Sequence, residues 1–127
     1  MVPYTQTSVG LEGNCLQTSI ESILEAPQGA LPSQRAYPLG QYLEPLNEFL
    51  GRFGLMYVQG PVRGRAVGWH VVTGPSPRTP KLGTLHSVVG RNGRIVWDPH
   101  PSHEGLCDVT SWGFVGPVAL VSAWSER

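Results

Sequence analysis

Leu16, Ile20, Ile23 and Leu24 recur at i, i+4, i+7 and i+8, which is the spacing of one face of an α-helix. Asn14 stands where an N-cap would, and Pro27 ends the pattern soon after Glu25. Residues 27–38 hold three prolines and read as a loop. A second stripe, Leu39, Tyr42, Leu43, Leu46, Phe49, Leu50 and Phe53, predicts a helix over about 39–53, interrupted at Pro45 and closed by Gly54. From residue 55 the period changes from helical to two. LMYVQ, AVGWHVVTG, TLHSVVG and RIVWD read as strands. Asn92-Gly93, set between Val88-Val89 and Ile95-Val96-Trp97, is the strongest short hairpin signal in the chain. A last pair of strands is expected within WGFVGPVALVSAW. Helices followed by a mainly antiparallel sheet define an α+β fold class.

Composition narrows the function classes. The 127 residues suit a single domain over the whole span. Only 14% are charged, while 16 Gly and 12 Pro are spread along the length, a loop-rich globular balance. Nine basic residues offset nine acidic ones, so no basic face for nucleic acid is expected. No apolar run approaches the roughly 20 residues that span a bilayer, so no membrane partner is expected. The opening MVPYTQTSVGLEGNC has neither a basic nor an apolar leader region, and the expected location is cytoplasmic. There the two cysteines, Cys15 and Cys107, would stay reduced. Oligomeric state is not legible, and no cofactor is called for.

Three residues then acquire meaning together. Cys15 opens the first predicted helix, His86 lies within a strand, and Asp98 ends the strand that follows the Asn92-Gly93 turn. Facing residues of an antiparallel pair lie about 5 Å apart. Counted from the turn, the register misses pairing His86 with Asp98 by one residue, which a β-bulge or a three-residue loop absorbs. A thiol must be ionised to attack, and unpaired N–H groups at a helix N-terminus favour the thiolate. An imidazolium beside it adds to this and later protonates the leaving group. A carboxylate on the other ring nitrogen sets tautomer and orientation. The backbone N–H of Cys15, with Gln6 or Asn14, is the candidate oxyanion donor. Cys107, in a loop after Gly105-Leu106, lacks such a scaffold and is not expected to be catalytic.

Gln6, then Gly13-Asn14-Cys15 opening a helix, then His86 in a strand and Asp98-Pro99 resemble the papain-like cysteine peptidases. The likeness is to the compact branch that includes bacteriocin-processing double-glycine peptidase domains and NlpC-type cell-wall hydrolases. Within that branch GNCLQTSIESIL, GPSPR and HSVVGRNGRIVWDPHPSHEGL are similar to small papain-like proteins of bacteria and phages. The resemblance implies N-terminal helices, with the cysteine on the first, packed on a mainly antiparallel sheet that carries histidine and acid. It implies a Cys15–His86–Asp98 triad, an acyl-enzyme, and a peptide, isopeptide or amide substrate. Gln6 as oxyanion residue stands farther from the cysteine than is usual there and needs an extra loop at residues 8–13. Arg78 and Trp69 are expected to bind substrate, Arg78 by facing an anionic group.

Plainer readings stand beside these. Cys15 alone reads as a buried thiol, His86 as a core histidine, and Asp98 before Pro99 as a turn residue. Trp97, Trp112 and Trp124, like Trp69, read as core or rim aromatics. Asp98, His100, His103 and Cys107 crowd into ten residues as zinc-type donors, although their spacing fits no common structural site. The alternative function is a non-catalytic or accessory binding protein, of a phage or anti-defence kind, using the same cleft.

Overall fold

The computed structural model describes residues 1–10 and 13–125, the last four of these by backbone alone. Helix α1 (Cys15–Leu24) and helix α2 (Leu43–Gly51) precede strands β1 (Leu55–Pro61), β2 (Trp69–Pro75), β3 (Leu85–Arg91), β4 (Arg94–Trp97) and β5 (Ser111–Pro117), and α3 (Val118–Ser125) follows. A 3-10 turn, Gln34–Ala36, lies within the proline-rich loop. The strands form one sheet in the order β1-β5-β2-β3-β4, and every neighbouring pair is antiparallel. The α+β class and the helices-then-sheet order are those expected from the change of period at residue 55.

Alternation along β2 divides the interior. Val71 packs with Leu16, Ile20, Leu46, Leu50 and Tyr57, the core between the sheet and α1 and α2. Val72 packs with Val88, Trp112 and Ala66 in a second core, sealed by Leu106 and Phe114. Successive residues of a strand point to opposite faces, so a single central strand serves both cores.

Three expectations are corrected. The second helix starts at Leu43, not near 39, and Pro45 falls in its first turn, where a missing N–H has no intrahelical partner to lose. Leu39 is thereby left off the buried stripe, 74% exposed. The C-terminal pair of strands is one strand and one helix. Pro117 cannot donate to the ladder beyond β5, and the apolar run after it carries no period that separates strand from helix. Asn14 occupies the N-cap position of α1, but its side chain does not cap the helix. Trp124 lies outside the described side chains.

The hairpin decides where the site forms. Asn92 (φ 53°) and Gly93 (φ 85°) both take left-handed backbone, as a two-residue type I′ turn requires. Near the turn Arg91 faces Arg94 and Gly90 faces Ile95, but the next pair is Val89 with Trp97. Val96 is the extra residue of a bulge. A shift of one residue exchanges the faces of a strand. Without the bulge Asp98 would point away from His86. With it, Asp98, the residue after β4, comes within hydrogen-bond reach of His86.

Candidate active site

Cys15 is the first residue of α1 and is half-buried. One turn further on, Ser19 donates its hydroxyl to the Ser87 carbonyl at 3.3 Å, which docks α1 against β3. Residues four apart share a helix face, so this docking carries Cys15 to the start of β3, where His86 stands. His86 and Asp98 are both buried, and Nε2–H of His86 donates to Asp98 Oδ1 at 2.7 Å. Cys15 and His86 border one cavity, and the ring nitrogen not bonded to Asp98 is Nδ1. Thiol and imidazole therefore face one cavity, and the carboxylate lies behind the imidazole.

Asp98 is held from several sides. The His100 N–H donates to Oδ1 at 2.9 Å and the Gly105 N–H to Oδ2 at 2.7 Å. The His103 Nδ1–H donates to the Asp98 carbonyl at 2.9 Å. Burial favours the neutral acid, but the His86 bond, the two backbone N–H groups and the imidazolium charge outweigh it and hold the carboxyl below its ordinary range. Burial likewise works to lower His86. The bond to Asp98, the Cys15 thiol beside the ring and the charges of both overcome it and push His86 up to about 9. The site favours a charged imidazolium at neutral pH.

Gln6 reaches the same cleft through the N-terminal segment. Trp97 Nε1–H donates to the Tyr4 carbonyl at 2.8 Å, and the Gln6 N–H donates to the Pro99 carbonyl at 2.9 Å. Gln6 is thus mounted on the stretch that carries Asp98. Its Nε2 donates to the Ser8 carbonyl at 2.8 Å, and its buried Oε1 has no partner among the described residues. An amide nitrogen carries two hydrogens, and the Ser8 bond uses one. Asn14 shapes the intervening loop. Its Oδ1 accepts from Thr7 N–H at 3.1 Å and Ser8 N–H at 3.2 Å, and its Nδ2 donates to Thr7 Oγ1 at 3.0 Å. The sequence places Asn14 beside the cysteine, but the partners that use its side chain are six and seven residues away and invisible to local patterning.

Arg78 borders the cleft, with Nη1 donating to Ser102 Oγ at 3.0 Å. Trp69 does not reach it. It lies at the far end of β2 from Gly74, the residue paired with His86, and Arg91 stacks over its ring at 5.1 Å. At about 3.3 Å per residue the five-residue separation removes it from the reacting groups. Among the described residues no three His, Cys, Asp or Glu side chains converge as metal ligands would. In the Asp98–Cys107 segment the Asp98 carboxylate is committed to His86 and to backbone, and Cys107 is exposed. Sequence reading missed Leu82, Thr84 and Leu85, which border the cavities at Cys15. Leu82 stands in a turn-rich segment, and Thr84 and Leu85 open the predicted strand of His86, so their nearness to that residue was the only signal.

No family model, no curated protein and no solved structure matches the chain. Among the described residues no helix is long and apolar enough to cross a membrane.

Proposed function

We propose that the chain is a papain-like cysteine hydrolase that cleaves a peptide, isopeptide or amide bond. The observation that carries this reading is the buried His86–Asp98 pair, with Nε2 to Oδ1 at 2.7 Å, bordering one cavity with the half-buried Cys15 at the start of α1. A structural histidine in an apolar core needs no ionised partner on one ring nitrogen and a thiol in the same cavity.

The steps follow from those contacts. The Cys15 thiolate attacks the substrate carbonyl, and the oxyanion takes the Cys15 N–H and the second Nε2 hydrogen of Gln6. The C–N bond breaks as the His86 imidazolium gives its proton to the departing amine, leaving a thioester on Cys15. Water then enters, His86 takes one of its protons, and collapse of the second tetrahedral intermediate releases the carboxylic acid and restores the thiolate–imidazolium pair. Asp98 keeps Nε2 protonated and the ring in place, and stays ionised throughout.

The test is a screen of peptide and amide substrates, read by product release and by intact mass of the protein. A mass increase equal to the acyl group is expected on Cys15, and Cys15→Ala is expected to abolish turnover. Turnover retained in Cys15→Ala would refute the mechanism. Wild-type protein that is never acylated would leave an accessory binding role for the same cleft.

A further inference from the structure

Cys15 stands where two cavities meet. One, of about 330 Å³, is bordered by Gln6, His86, His100 and Arg78, and it shares Leu82 and Leu85 with the other, so that Leu39 and Leu43 are the exposed leucines found at the second alone. The other, of about 660 Å³, is bordered by Leu16, Leu39, Tyr42, Leu43, Leu82 and Leu85 and does not include His86. Both fall in the range of about 300–1,000 Å³ of small-molecule sites. The second has an unusual rim. Leu39 and Leu82 are 74% and 77% exposed, and Leu43 and Leu85 are exposed as well. Four solvent-facing leucines border this one cavity, where scattered single ones would need no explanation.

The chemistry gives the two cavities a direction. A departing amine takes its proton from His86, so it must leave on the side of Cys15 where His86 stands. The smaller cavity is therefore the leaving-group side, and the leucine groove receives the acyl side. The leaving-group side ends on a guanidinium that, among the described residues, is bonded to the neutral Ser102 hydroxyl and to no carboxylate. Such a group matches an anion geometrically and in charge.

Resting on the hydrolase reading, we infer that the substrate joins a bulky apolar acyl group to an amine that carries a carboxylate: an N-acyl amino acid, with the acyl chain in the leucine groove and the carboxylate at Arg78. Attack by Cys15 breaks the amide C–N bond. The amino acid leaves with the His86 proton, and water releases the fatty acid from the thioester.

The experiment compares N-dodecanoylglycine, N-acetylglycine and N-dodecanoylglycinamide, with released glycine or glycinamide quantified by mass spectrometry. The expected kcat/KM for N-dodecanoylglycine exceeds that for N-acetylglycine by about a hundredfold, and that for N-dodecanoylglycinamide by about tenfold. Leu39→Asp, at a residue too exposed to hold the fold, is expected to cut the first ratio by about tenfold. Arg78→Gln is expected to bring the second ratio close to one. Ratios near one in the wild type, or ratios that neither variant changes, would overturn the inference. Acylation of Cys15 by p-nitrophenyl acetate, read by intact mass, separates the two levels. If Cys15 is acylated while the three amides are treated alike, the substrate class falls and the hydrolase stands. If Cys15 is not acylated, both fall.

Discussion

At His86 a burial effect and a bonding effect oppose each other, and the outcome fixes a pH window. Its value rises from 6.5 to about 9, so the stability it contributes is fully present below about pH 6.5 and is lost as pH climbs through about 9. Asp98 is lowered from 3.8, so its contribution is present above that value and is lost as pH falls through the lower folded value. Both contributions are complete between about pH 4 and 6.5. A thermal-melt series is expected to show stability falling from pH 6.5 to 9, and Asp98→Asn is expected to flatten that fall. At pH 6 the same variant should cost about 1–3 kcal/mol, because the imidazolium loses its ionised partner in a buried place. Its turnover should drop by about 10²–10⁴-fold through the altered tautomer. Unchanged turnover in Asp98→Asn would remove Asp98 from the triad. At this scale Cys15, His86 and Asp98 were legible, since Cys15 opens a predicted helix, His86 lies within a predicted strand and Asp98 ends the strand that follows its hairpin turn. Trp69 was misplaced because distance along a strand, not residue type, decides what reaches a cleft.

At the scale of elements, the site depends on one inserted residue. Val96 adds no chemistry, yet it turns Asp98 onto the face of His86. Deleting Val96 while keeping the Asn92-Gly93 turn is expected to send Asp98 to the opposite face. The variant should then match Asp98→Ala in turnover, and the NMR-detected His86 titration should move down from about 9, since the bond to Asp98 is what burial works against. A deletion variant with full activity would show that the bulge is incidental. Periodicity revealed the hairpin and the off-by-one mismatch, but a bulge or a longer loop fit equally, and only the paired register tells which is present. The loop before α1 carries a similar dependence. Asn14→Ala strips the acceptor from two backbone N–H groups and is expected to cost about 1–3 kcal/mol by denaturant titration. Asn14→Ser, which suits the cap position but cannot reach Thr7 and Ser8, should not restore it. Full rescue by Ser would return Asn14 to the role its position first suggested. Apolar runs without a period, such as the one after Pro117, left strand and helix undivided, and a proline in a first turn read as an interruption of a longer helix.

For the whole molecule, the arrangement of the two cores determines how the site is lost. Cys15 belongs to a helix of the first core, together with Leu16 and Ile20. His86 sits on a strand whose Val88 belongs to the second. Asp98 is bonded at Gly105, beside Leu106, which seals that second core. The reacting groups therefore come from both layers and meet at one end of the shared sheet. Neither layer is large enough to stand alone, since a domain of this size has to bury most of its apolar surface to offset chain entropy. Val71 and Val72, adjacent on β2, make each core the support of the other. Unfolding is then expected to be a single transition. Far-UV circular dichroism follows the helices of the first layer, tryptophan fluorescence follows residues that include Trp112 of the second, and the rate of Cys15 modification in a Cys107→Ser background follows the junction. All three should share one midpoint in urea. An earlier loss of the Cys15 signal than of the other two would place the site on a locally unfolding unit. Separate midpoints for dichroism and fluorescence would show that the two layers hold themselves together without the strand they share.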